Sequence, residues 1–351
     1  MADRIARVPR RARQTYRSGF RPVVCSFLVL ALASCGSSEN RADPSVSSTV
    51  TVPSSTSAGP STVDVSIPSA TEVGPAGNVV NTWVGPSVDI TKLPIGTDKV
   101  SLTGPAVGGL FACDAGFAGG GGAHAAGPWI DEAAGTWNLS AKVSVRGEVS
   151  WPMATYSEVI EGTSRVISSN GLPVDEITGE FPIAPDDPAY AYDRNPNRIA
   201  GNEVEVVLPL NPAVAPTATC LGKGGVGVLK NGVSLFAPID ERNRDAAAYE
   251  TQDECDGHPQ QTSVYHYHEI PSCIRDASVG SSTVVGFAFD GFPIVVERDG
   301  NGNLPTNADL DECHGRISRI ELDGAVVETY HYSATFEFPY FIGCFKGVPV
   351  A

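Results

Sequence analysis

The chain has 351 residues, with 40 Asp and Glu set against 24 Lys and Arg for a formal charge of −16. It offers no basic stripe that could track a phosphate backbone, which excludes nucleic acid as a partner. Its 37 Gly and 27 Pro, with little helical periodicity, exclude an all-α fold and predict an all-β or β-rich α+β domain.

The first 21 residues carry Arg4, Arg7, Arg10, Arg11, Arg13, Arg17 and Arg21 against the single acid Asp3, and an apolar run from Val23 to Ala33 follows. That run is about half the length a membrane-spanning helix needs, so residues 1–34 are expected to be a signal peptide. It closes in Leu32-Ala33-Ser34-Cys35, which resembles the lipobox of bacterial lipoproteins. The resemblance implies a diacylglycerol on Cys35, and so an extracytoplasmic chain whose first partner is the membrane itself. Removal of residues 1–34 leaves the mature chain at about −22. Residues 35–77 are dominated by Ser, Thr, Pro and Val and cannot bury enough apolar surface to offset their ordering entropy. They are read as a disordered tether.

Beyond the tether, residues 78–164 form a leading β-rich segment and 165–351 the main domain. Leu139 to Val145 alternates apolar and polar, predicting a strand, as does Glu203 to Leu208 before Pro209. Gly119 to Gly122 lacks the Lys-Ser/Thr of a phosphate loop. Arg244 to Glu250 is the single short helical pattern. Thr283 to Phe289 predicts an interior strand ending at Asp290-Gly291. Ile317 to Leu322 and Ala325 to Tyr332 flank Asp323-Gly324, a strong hairpin signal.

An internal repetition closes the chain. Asp253-Glu254-Cys255-Asp256-Gly257-His258 precedes Tyr265-His266-Tyr267-His268 and Cys273, and Asp311-Glu312-Cys313-His314-Gly315-Arg316 precedes Tyr330-His331-Tyr332-Ser333 and Cys344. Two copies of Asp-Glu-Cys-x-Gly, each followed by Tyr-His-Tyr and a cysteine, predict two related units in one domain. With Cys25 and Cys35 set aside, six cysteines remain, an even number that in an exported chain reads as three disulfides. The repeat suggests Cys255 with Cys273 and Cys313 with Cys344, which leaves Cys113 for Cys220.

Residues 165–351 resemble the YHYH-domain family of exported proteins. The likeness rests on the Tyr-His-Tyr-His tetrapeptide together with Asn170-Gly171-Leu172-Pro173, Asn195-Pro196-Asn197, Asn231-Gly232-Val233, Asp290-Gly291-Phe292-Pro293-Ile294 and Phe338-Pro339-Tyr340-Phe341-Ile342-Gly343-Cys344-Phe345. The family brings no established activity with it. In the second copy Ser333 replaces the last histidine, which speaks against two identical metal sites.

Residues two apart on a strand share a face, so His266 and His268 project together and can chelate one ion, with zinc or copper the expected metals. His331 is expected to join them if the two units pack face to face, with His258 and His314 in reserve. Set against this is a reading in which the rings simply pack and hydrogen-bond within a disulfide-stapled adhesion or ligand-binding module, its ligand a glycan, a small molecule or a protein. A third reading makes the chain an acid/base enzyme working through Asp and His of the repeat. Asp253, Glu254, Asp311 and Glu312 are better read as turn caps than as paired catalytic carboxylates. His268-Glu269 is no metallopeptidase helix, because Pro271 follows and no second histidine stands at the required spacing. No Gly-x-Ser-x-Gly nucleophile elbow is present. Asp299, Asn301, Asn303, Asn307 and Asp309 form an oxygen-rich loop that could take calcium, although Leu304 and Leu310 stand where an EF-hand needs Gly and Glu. A plain polar turn is the alternative.

Overall fold

Eleven strands longer than two residues organise the described part of the chain, and eight of them form one mixed sheet. A computed structural model describes residues 88–117 and 122–350. The expected signal peptide, Cys35, the 35–77 tether and most of the glycine run lie outside the described residues.

In chain order the strands are β1 Tyr156–Glu161, β2 Ser164–Ser169, β3 Val204–Pro209, β4 Gly225–Leu229, β5 Ser234–Phe236, β6 Gly257–Pro259, β7 Tyr265–Tyr267, β8 Ser282–Ala288, β9 Pro293–Glu297, β10 Gly315–Leu322 and β11 Ala325–Ser333. Strands β3-β2-β1 make a small antiparallel sheet, and the large sheet runs β6-β7-β5-β4-β8-β9-β11-β10. The two halves of the large sheet run through the same pairings. In the first, β4 and β5 form a hairpin, β5 lies parallel to β7, and β6 pairs antiparallel with β7. In the second, β8 and β9 form a hairpin, β9 lies parallel to β11, and β10 pairs antiparallel with β11. The halves meet edge to edge where β4 pairs antiparallel with β8. Gly227 and Gly286 make that seam possible. A Cβ on Gly227 would stand 2.8 Å from the Phe287 carbonyl oxygen, and one on Gly286 would stand 2.4 Å from that of Val228.

The repeat motif has a physical purpose in each half. Asp253 Oδ1 accepts from the backbone N–H of Cys255 and Gly257, both at 3.1 Å, and Asp311 Oδ1 accepts from Cys313 and Gly315 at 2.9 and 3.1 Å. The first tyrosine of each Tyr-His-Tyr donates to the same carboxylate: Tyr265 to Asp253 at 2.8 Å and Tyr330 to Asp311 at 3.0 Å. Glycine is required after the cysteine because the tyrosine lies over it. A Cβ on Gly257 would come within 2.2 Å of the Tyr265 ring, and one on Gly315 within 2.3 Å of the Tyr330 hydroxyl. The second tyrosines reach the hairpin turns, Tyr267 accepting from Asn231 Nδ2 at 3.0 Å and Tyr332 donating to Asp290 Oδ2 at 2.5 Å.

The hairpin at Asp323-Gly324 forms with both residues at positive φ, 52° and 77°, as a tight turn between twisted strands demands. The short helix α1, Ala246–Tyr249, is narrower than the expected 244–250, and Asp245 caps it. The expected strand from Leu139 to Val145 does not form. Leu139–Ala141 is a 3₁₀ turn because the Asn138 side chain accepts from Ala141 N and draws the backbone out of extension, and only Val145 pairs, with Asp253.

The disulfides are Cys113–Cys220, Cys255–Cys273 and Cys313–Cys344. The first ties the leading segment to the main domain. Leu93, Leu110, Trp129 and Trp137 also share one core with Tyr265, Tyr332 and Phe341.

Candidate metal centre

Strands β6 and β7 set His258 directly opposite His266, and His268 follows two residues later. One ring nitrogen from each of the three lies within 4.8 Å of the others, and all three residues are buried. His266 Nε2 and His268 Nε2 are 3.1 Å apart. Glu250, which closes helix α1, brings Oε2 to 3.1 Å from His268 Nε2 and 3.3 Å from His258 Nε2. Lys142 holds this segment in place, donating to the Ala247 carbonyl and to the Gln252 side chain on either side of Glu250. Phe236 at the end of β5 stacks on the His266 ring, with centroids 4.0 Å apart.

The hydrogen bonds fix which way the lone pairs point. His266 Nδ1 lies 3.2 Å from the Val264 carbonyl oxygen and His268 Nδ1 lies 2.6 Å from that of Ala237. A carbonyl can only accept, so each Nδ1 carries a proton and Nε2 is the nitrogen turned inward, a lone pair on each ring that is neutral. Neither ring nitrogen of His258 has a hydrogen-bond partner, and neither has Glu250 Oε2. A cation among these groups, either the proton on His268 or a metal ion, would satisfy the buried carboxylate oxygen. Burial, with the other two imidazoles adding to it, holds His258 well below the ordinary imidazole range, and burial with His268 beside it does the same to His266. Burial opposes charge on His268 as well, but Glu250 and the Ala237 carbonyl outweigh it and raise this ring above its usual value. The three imidazoles and Glu250 could therefore hold a metal ion, which would displace a proton from His268.

Of the expected ligands, the structure brings His258, His266 and His268 together and leaves two out. His331 does not join them, because the units pair edge to edge rather than face to face. Strands β5, β4, β8 and β9 lie between β7 and β11, roughly 24 Å at strand spacing. His314 is a neutral core residue whose Nε2 meets Thr335 Oγ1 at 3.0 Å, and burial pushes it down to about 3. Glu250 escaped sequence reasoning, since it sits eight residues before His258 at no ligand spacing, and only the fold returns it to the site.

The side chains of the oxygen-rich loop are engaged in the hydrogen bonds of a polar turn. Asp299 spends its carboxylate on the N–H groups of Asn301 and Asn303, both at 2.8 Å, and on Asn303 Nδ2. Asp309 caps Thr306, while Asn307 donates to the Phe338 carbonyl. The acids of the repeat also serve structure. Asp253, pushed up to about 6 by burial, takes four hydrogen bonds, and Glu312 pairs with Lys346 at 2.8 Å.

The family model described as YHYH protein matches residues 205–306. The chain carries a YHYH domain. The matched stretch runs from within β3 to beyond β9 and contains Glu250, His258, His266 and His268, while the second Tyr-His-Tyr lies beyond it. No curated protein and no solved structure matches the chain.

Proposed function

We propose that this YHYH-domain chain is an extracytoplasmic lipoprotein, anchored through Cys35, that holds one zinc ion at His258, His266, His268 and Glu250. The observation that carries the reading is the inward meeting of two Nε2 atoms 3.1 Å apart, each ring locked by a backbone carbonyl, with a carboxylate oxygen 3.1 Å from one of them.

Imidazole nitrogens with a carboxylate oxygen form a donor set that zinc takes. Ligands 2.0–2.1 Å from a tetrahedral ion stand about 3.3–3.4 Å from one another, whereas adjacent ligands of a square-planar ion stand about 2.9 Å apart. Of three edges in the group, the one of 3.3 Å matches the tetrahedral value and the two of 3.1 Å fall between the two geometries. Four protein ligands at a site whose residues are at most 6 % exposed make a closed centre of the binding or structural kind. The disulfides support an oxidising compartment, where cysteine is used for staples and metal ligation falls to imidazole and carboxylate. The lipid on Cys35 and the partnership with the membrane rest on the sequence of the first 35 residues.

Elemental analysis of the purified full chain, beside a chain carrying His266→Ala and His268→Ala, tests the proposal. One zinc per chain in the first and none in the second is expected. Equal metal content in two folded proteins would reject the site.

A further inference from the structure

The second half of the sheet repeats the construction of the metal centre with one exchange. His266 faces His258 across β6 and β7, and His331 faces Arg316 across β10 and β11. His268 stands two residues beyond the first histidine, and Ser333 two residues beyond the second. Each strand histidine sets Nδ1 against the carbonyl two residues earlier, His266 at 3.2 Å from Val264 O and His331 at 3.3 Å from Thr329 O. A buried carboxylate enters each group from a different part of the chain: Glu250 in the first half and Glu297, at the end of β9, in the second.

The difference lies in what stands at the carboxylate. Arg316 Nε and Nη2 donate to Glu297 Oε1 and Oε2 at 3.0 and 2.7 Å, Ser333 Oγ donates to Oε1 at 2.6 Å, and His331 Nε2 lies 3.3 Å from the same oxygen. No side-chain atom of these four residues is among the buried polar atoms without a partner, whereas His258 and Glu250 contribute three. We infer that the second half is a metal cradle whose cation is supplied by the chain itself, the Arg316 guanidinium taking the place that an ion takes in the first half. The inference rests on the proposed metal reading for its first half only. It makes the second cradle a latent site for a divalent transition ion.

Two arms test it. In a chain already carrying His266→Ala and His268→Ala, the added changes Arg316→His and Ser333→His restore the three-imidazole arrangement in the second half. One zinc per chain should be regained over the parent, and a folded protein that regains none overturns the latent site. The second arm needs no metal. Arg316→Ala leaves Glu297 without its cation and should lower the melting temperature by several degrees. Millimolar methylguanidinium should restore part of that loss in the variant, leave the wild type unmoved, and exceed the effect of equal sodium chloride. If methylguanidinium does no better than sodium chloride, the guanidinium is not standing in a cation site and the inference falls. A wild-type chain without zinc would reject the first-half reading, and this second arm would still decide the matter of Arg316.

Discussion

Replacing His314 by Asn should make the protein less sensitive to acid. His314 is 1 % exposed, with Nδ1 unpartnered, and burial alone depresses it from 6.5 to about 3. Below pH 6.5 the unfolded chain takes up a proton on this ring that the folded chain refuses. The unfolded state then binds more protons, and stability falls as pH drops from 6.5 toward 3. Between pH 7 and pH 5 the loss from this one ring is about 2 kcal/mol. Asn is the replacement of choice because position 314 has a φ of +72°, a conformation Asn tolerates better than most residues. Asn does not titrate in this range. Urea unfolding of both metal-free proteins at pH 7 and pH 5 gives the comparison. The wild type should lose about 2 kcal/mol more than the variant over that interval. Equal losses would refute the buried neutral histidine.

Tyr265→Phe removes the hydroxyl that donates to buried Asp253 and should cost about 1.5–3 kcal/mol in chemical denaturation, without releasing metal. Gly257→Ala drives a Cβ into the Tyr265 ring and should destabilise by about 1–3 kcal/mol. Gly222→Ala, with nothing within 4 Å, should stay within about 0.5 kcal/mol of wild type by the same assay. Zinc affinity, followed by competition with a chromophoric chelator, should weaken as pH falls and approach about tenfold per pH unit once His268 is protonated, because the ion must displace that proton while His258 and His266 are already neutral. An affinity that does not change between pH 8 and pH 5.5 would contradict a site built on His268.

Local signals carried much of the fold into the sequence. The Asp323-Gly324 hairpin was legible because positive φ at two successive positions selects those residues. The repeat was legible because each copy needs an acid to cap the loop, a glycine for the tyrosine to lie on, and the tyrosine itself. Leu139 to Val145 misled because alternation says nothing of Asn138, whose side chain captures the next turn. In the site, His266 and His268 were visible as a pair on one strand, and the cross-strand partner His258 was visible as a neighbour in the motif. How the two units associate was not legible, since stacking and edge-to-edge pairing bury the same apolar residues. That ambiguity is what placed His331 with the wrong histidines. Glu250 belongs to the same class of miss, because its position depends on helix α1 and on the grip of Lys142 about the segment that carries it.

X-ray absorption at the zinc edge of the purified full chain reads the identity of the four ligands. Four nitrogen or oxygen neighbours at about 2.0–2.1 Å are expected, three of them with the multiple-scattering signature of imidazole. Sulfur neighbours at about 2.3 Å, or a shell of waters with a single imidazole, would contradict that ligand set.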